Sequence, residues 1–77
     1  MKDFVEFVVK KLVDHPEEVK VTQIESEKTV ILELQVKEGD LGKVIGRNGR
    51  TAKSLRILLS AAAAKQGTKR AILEIIE

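Results

Sequence analysis

The sequence predicts an α+β fold of element order α-β-β-α-α-β, with a three-stranded mixed sheet and three helices on one face. Three observations carry this prediction. The apolar residues change period along the chain: helical up to residue 13, alternating between 19 and 36, helical again beyond residue 50. The breaks fall at Pro16, Glu38-Gly39-Asp40, Gly46 to Gly49 and Gly67, all turn-forming positions. A length of 77 residues, 43% apolar and 34% charged, suits one small folded domain over 1–77.

The elements follow in order. Asp3 with Glu6 three residues on reads as a helix start of the capping-box type. Phe4, Val5, Val8, Val9, Leu12 and Val13 then repeat at helical spacing, Phe4 within the core stripe, and Pro16 stops the helix after Asp14-His15. Val19, Val21 and Ile24 mark a short strand with imperfect alternation, and Ser26-Glu27-Lys28 a turn. From Thr29 to Val36 the alternation is clean, with Val30, Leu32, Leu34 and Val36 on one face, so the two strands form a hairpin. Asp40 is placed to cap a short helix holding Leu41, Val44 and Ile45. A long helix runs from about Arg50 to Gln66 and ends at Gly67. Lys69 to Glu77, rich in Ile and Leu, is the last strand. A right-handed strand–helix–helix–strand crossover makes it parallel to the Thr29–Val36 strand.

The long helix carries two apolar faces. Ala52, Leu55, Leu58, Leu59, Ala62 and Ala63 cluster on one side as the core stripe. Ile57, Ala61 and Ala64 lie nearly opposite, and their small side chains let a second helix approach closely. The alternative is that alanine stands there only as the best helix former.

The net charge of +2 hides an asymmetry. Residues 1–40 hold six Lys/Arg against ten Asp/Glu, and residues 41–77 hold eight against two. No acid occurs between Leu41 and Leu73, where Lys43, Arg47, Arg50, Lys53, Arg56, Lys65, Lys69 and Arg70 all fall. A basic half on a near-neutral chain suits a polyanion; a solvated helix face is the alternative. The chain has no cysteine, which excludes disulfides, a thiol nucleophile and thiolate metal sites. No apolar run approaches the roughly 18 residues of a membrane span. Met1-Lys2-Asp3-Phe4 opens without a cleavable apolar segment, so an untargeted cytoplasmic protein is expected.

Gly42, Gly46 and Gly49 do not have the spacing of a dinucleotide fingerprint, and no Gly-Lys-Ser/Thr of a P-loop is present. A different reading fits. Two helices meet at Gly46-Arg47-Asn48-Gly49, whose glycines let a sugar–phosphate backbone approach the main chain. Arg47 and Asn48 project outward toward phosphate oxygens. The N-terminus of the long helix adds a partial positive charge. Arg50 and Lys53 in its first turn oppose the helix dipole, which a bound anion would explain.

Gly42-Lys43-Val44-Ile45-Gly46-Arg47-Asn48-Gly49-Arg50-Thr51 resembles the signature of KH domains, with Val44-Ile45 before a GxxG loop. The element order is similar to the type II, prokaryotic form of that fold, and the resemblance spans essentially the whole chain. It is strongest to the small stand-alone bacterial KH proteins of the KhpA type. The resemblance implies single-stranded RNA binding in a groove for about four nucleotides, clamped by the loop. It further implies an RNA chaperone or post-transcriptional adaptor, acting as a homodimer or with a larger KH-containing protein. Gly46, Arg47, Asn48 and Gly49 match the loop, and Val44 and Ile45 the apolar positions before it. Lys43, Arg50 and Lys53 join the expected RNA-binding set on charge and geometry. Pairing through the long helix agrees with the Ile57–Ala61–Ala64 stripe as a dimer interface.

Phe4 and Phe7 are the only aromatics, so few bases can stack, an interaction worth roughly 1–3 kcal/mol per base. Weak, salt-sensitive binding with little sequence preference is expected from one copy. Two paired copies would gain avidity. His15, the single histidine, is expected at an exposed helix end, and Ser54 and Ser60 have no histidine partner on their face. No catalytic residue, metal, cofactor or small-molecule substrate is expected. The alternative function is a protein-interaction subunit that keeps the KH scaffold with little RNA binding of its own.

Overall fold

Val5, Val9 and Val13 recur every four residues and bury one line of the first helix. The computed structural model describes residues 1–67 and 69–77. Helix α1 spans Lys2–Leu12, with Val5 and Val9 fully buried and Val13 just past its end. The stripe is narrower than the sequence pattern suggested. Phe4 is 39% exposed and Phe7 63%, so Phe4 does not belong to the core. One position off the valine line rotates a side chain by about 100°, which carries Phe4 clear of the sheet. The expected capping box does not form, because Met1 occupies the N-cap without a side-chain bond. Glu6 instead accepts from Lys10 at 2.8 Å, one turn on. That hydrogen bond, then the Lys10 charge, holds the Glu6 carboxyl below its ordinary pKa.

A short 3-10 turn at Pro16–Glu18 leads into strand β1, Lys20–Glu25. Strand β2, Thr29–Gln35, returns antiparallel, with Val21 opposite Leu34 and Ile24 opposite Ile31. Ser26 closes the hairpin: its N–H donates to the Thr29 carbonyl at 2.9 Å. Strand β3, Arg70–Ile75, runs parallel to β2, and the sheet order is β1-β2-β3. Between β2 and β3 lie helix α2, Leu41–Ile45, and helix α3, Arg50–Gln66. Gly67, in the left-handed region at φ 65°, ends α3 where expected.

All three helices contribute to one core against one face of the sheet. Val30, Leu32 and Leu34 of β2 meet Val5 and Val9 of α1, Val44 of α2 and Leu55, Leu59 and Ala63 of α3. Leu58, expected in this stripe, is 53% exposed. The stripe that meets the sheet runs Ala52–Leu55–Leu59–Ala63, and Leu58 lies about 100° around the helix from Leu59. Among the described residues no helix lies on the opposite sheet face. There Ile24, Ile31 and Ile72 stand in register across the three strands.

Asp40 corrects a second capping expectation. It precedes α2 but makes no side-chain cap bond. It is the buried charged residue of the core, 2% exposed, and its Oδ2 accepts the His15 N–H at 2.9 Å. That bond joins the entrance of α2 to the exit of α1. Among the described residues no helix is long and apolar enough to cross a membrane.

Candidate functional site

The loop between α2 and α3 is shaped by three residues with positive φ. Gly46 lies at φ 78°, ψ 172°, a region essentially closed to other residues. Asn48 (φ 56°, ψ 28°) and Gly49 (φ 73°, ψ 12°) are left-handed, and Asn48 is the one non-glycine among the described residues to be so. Asparagine tolerates this region better than most side chains. The Gly46 N–H closes α2 on the Gly42 carbonyl at 2.9 Å, and the Gly49 N–H returns to the Gly46 carbonyl at 3.1 Å. A Cβ on Gly46 would stand 2.6 Å from the Thr51 Cβ and 2.9 Å from the Thr51 backbone nitrogen. Thr51, which sequence reasoning left out of the site, therefore packs against the loop's first glycine. A Cβ on Gly49 would meet nothing within 4 Å.

The expected site residues divide by burial. Arg47, Asn48, Arg50 and Lys53 are exposed around the loop and the first turn of α3. Among the described residues none of these cations has a carboxylate within ion-pair distance. Gly46, Gly49 and Ile45 are half-buried. Val44 departs from the expectation: it is 0% exposed and anchors α2 in the core rather than offering a contact surface. Lys43 is exposed but turned toward the segment that follows α1, where its Nζ lies 3.3 Å from Asp14 Oδ2. Both partners are solvent-exposed, so the pair contributes little to stability.

Ile57, 60% exposed, heads an outward stripe with exposed Ala61 and Ala64, and Leu58 widens it. Arg56, another residue outside the expected set, reaches from α3 to β3. Its Nε and Nη2 both donate to the Leu73 carbonyl, each at 3.4 Å. The sequence marked Arg56 only as one cation of the acid-free stretch.

Two further groups of ionisable side chains lie outside the loop among the described residues. His15, Glu17 and Glu18 bring ligand atoms within 4.8 Å of one another on the surface of the Pro16 turn, a common arrangement of exposed acids. The Glu25 carboxyl is held below its ordinary pKa, first by hydrogen bonds from Lys69 and Gln23 and then by the Lys69 charge. It lies at the hairpin end, near the C-terminus of α3 and so away from the loop. A shallow concavity of 670 Å³ there includes Glu25, Glu27, Lys28 and Arg70. Its described lining mixes both signs of charge.

Comparison with known proteins agrees with the fold. The family model described as KhpA/KhpB, KH domain, matches residues 2–75. The chain is 53% identical over 77 residues to RNA-binding protein KhpA of Aquifex aeolicus, covering 100% of this chain and 96% of that one. It is 52% identical to RNA-binding protein KhpA of Borreliella burgdorferi, covering 97% and 90% of the two chains. To the protein of that name in Clostridium perfringens it is 49% identical, covering 99% and 100%. No solved structure matches.

Proposed function

The chain belongs to the KhpA/KhpB family of KH domains, and from that premise we propose that it binds single-stranded RNA through the Gly46–Gly49 loop. The relatives carry RNA binding in their names. One observation supports assigning it to the loop here. Two positive-φ glycines keep the loop's backbone bare, while unpaired Arg47, Arg50 and Lys53 surround it at the positive end of α3. Such a site takes a phosphodiester backbone without needing a base-specific pocket. Ile45 would line the groove, and Val44 would act from beneath by holding α2. The role is non-enzymatic, that of an RNA chaperone or adaptor in the cytoplasm.

The test is anisotropy of short single-stranded RNA with the parent and with Arg47→Asp/Asn48→Asp. Aspartate, like asparagine, is accepted in the left-handed region, so the second change spares the loop backbone. We expect the double variant to fold and to lose binding. A folded variant that binds as tightly as the parent would remove the loop from the interface. Gly46→Asp is not a clean probe, since its Cβ would strike Thr51.

A second reading rests on the outward stripe of α3. Ile57, Leu58, Ala61 and Ala64 form an exposed apolar surface on a small domain. We propose that it pairs two copies, or one copy with a larger KH-containing protein. Ile57→Asp should convert a dimeric parent to monomer in sedimentation, whereas an unchanged profile would reject this surface. If the loop variant has no effect on RNA and Ile57→Asp abolishes association, the chain is an interaction subunit first.

A further inference from the structure

We propose that Arg56 is a specificity-determining residue that reads a base with two adjacent hydrogen-bond acceptors, guanine or cytosine, in RNA held by the loop. The inference rests on the RNA-binding reading above and says what the bound strand meets beyond the loop. Strand β3 lies at one edge of the sheet. The N–H groups of Arg70 and Ile76 donate to the Lys28 and Leu34 carbonyls, at 3.2 and 2.8 Å. Backbone groups alternate sides along a strand. Residues 70, 72, 74 and 76 therefore face β2, and Leu73 turns its carbonyl to the open edge. Arg56 covers that carbonyl with Nε and Nη2, both at 3.4 Å. Those distances exceed the usual 2.7–3.2 Å range, so the hold is weak and readily exchanged. It uses one edge of the guanidinium. The other edge keeps a parallel pair of N–H donors on Nη1 and Nη2. Among the described residues no carboxylate pairs with Arg56.

Position on the helix points the same way. Gly49, Lys53 and Arg56 follow at spacings of four and three and share a flank of α3. The seven residues from Gly49 to Arg56 span about 10 Å. That lies within reach of a strand of about four nucleotides clamped at the loop. A parallel donor pair matches O6 and N7 of guanine, or O2 and N3 of cytosine. Adenine puts an amino donor beside N7, and uracil puts an N–H between its carbonyls, so each offers the fork one acceptor. Lysine in place of Arg56 would keep the charge and lose the fork.

The experiment measures anisotropy of six-nucleotide RNAs with the parent, Arg56→Lys and Arg47→Asp/Asn48→Asp. The probes are all-uridine, all-adenosine, and uridine strands carrying one guanosine or one cytidine. We expect the parent to favour a guanosine- or cytidine-containing strand by about tenfold. Arg56→Lys should bind the all-uridine and all-adenosine strands within about twofold of the parent and lose the preference. The loop variant should lose binding to every strand. Equal binding of all strands by the parent, or an undiminished preference in Arg56→Lys, overturns the role of Arg56 and leaves the loop assignment standing. No binding of any strand by the folded parent overturns both.

Discussion

At the scale of single residues, Gly46 and Gly49 stand in the same motif and tolerate different changes. Gly46 combines φ 78°, ψ 172° with a neighbour, Thr51, where its Cβ would go. Gly49 has a left-handed φ and open space. Gly46→Ala should cost about 2–4 kcal/mol from strain and overlap together. Gly49→Ala should cost about 1 kcal/mol from strain alone. Urea midpoints of the two variants measure this, and equal losses would contradict it. Asp40 gives a second residue-scale prediction. Asp40→Ala leaves the His15 N–H without its acceptor and should cost about 1–3 kcal/mol, while Asp40→Asn keeps an oxygen there and should cost less. The motif glycines were legible because a turn between two helical patterns demands them. The Asp40–His15 bond was not, since its partners lie 25 residues apart and nothing local signals their meeting.

At the scale of elements, α3 shows how far periodicity reaches. Its limits, Arg50 to Gln66, follow from Gly49 and Gly67 at its two ends, and the sequence placed both. Its core face was legible only to within a residue's rotation. Leu58 and Leu59 are equally apolar, yet Leu59 is 1% exposed and Leu58 53%. Leu59→Ala should cost about 2–5 kcal/mol, and Leu58→Ala about 0.5 kcal/mol or less in the monomer. Comparable losses at both positions in chemical denaturation would mean that Leu58 is buried in solution. The same ambiguity displaced Phe4 in α1. A helix with apolar residues on adjacent positions offers several stripes, and the sheet beneath selects one. The strands left less freedom, because a shift by one residue would turn Val30, Leu32 and Leu34 to the opposite face.

At the scale of the molecule, the acid-free stretch from 41 to 73 folds into α2, the loop, α3 and the start of β3. The acidic residues belong mostly to α1, the Pro16 turn and the hairpin. Two cations of the acid-free stretch, Lys43 and Lys69, lie against Asp14 and Glu25, whereas Arg47, Arg50 and Lys53 beside the loop have no carboxylate within ion-pair distance among the described residues, which suits attraction of a polyanion there. For RNA held over about four nucleotides, the log–log salt dependence of affinity should have a slope of about −2 to −3. A slope near zero would show that phosphate contacts do not carry binding. The surface of 5261 Å² exceeds the roughly 4,700 Å² expected for a compact monomer of this mass. The principal extents are 35 × 22 × 19 Å, an elongated outline that carries more surface than a sphere of the same volume.

The sequence by itself determined the element order, the parallel last strand, the glycine loop and the acid-free stretch that contains it. Each depends on local pattern: period, turn residues, or the count of charges along the chain. Tertiary structure alone decided that Val44 is core while Ile45 is half-buried, that Lys43 faces Asp14, and that Arg56 lies on the open edge of β3. These outcomes depend on how a helix is rotated against the sheet. That rotation is chosen by packing between residues far apart in the chain, which no local pattern records.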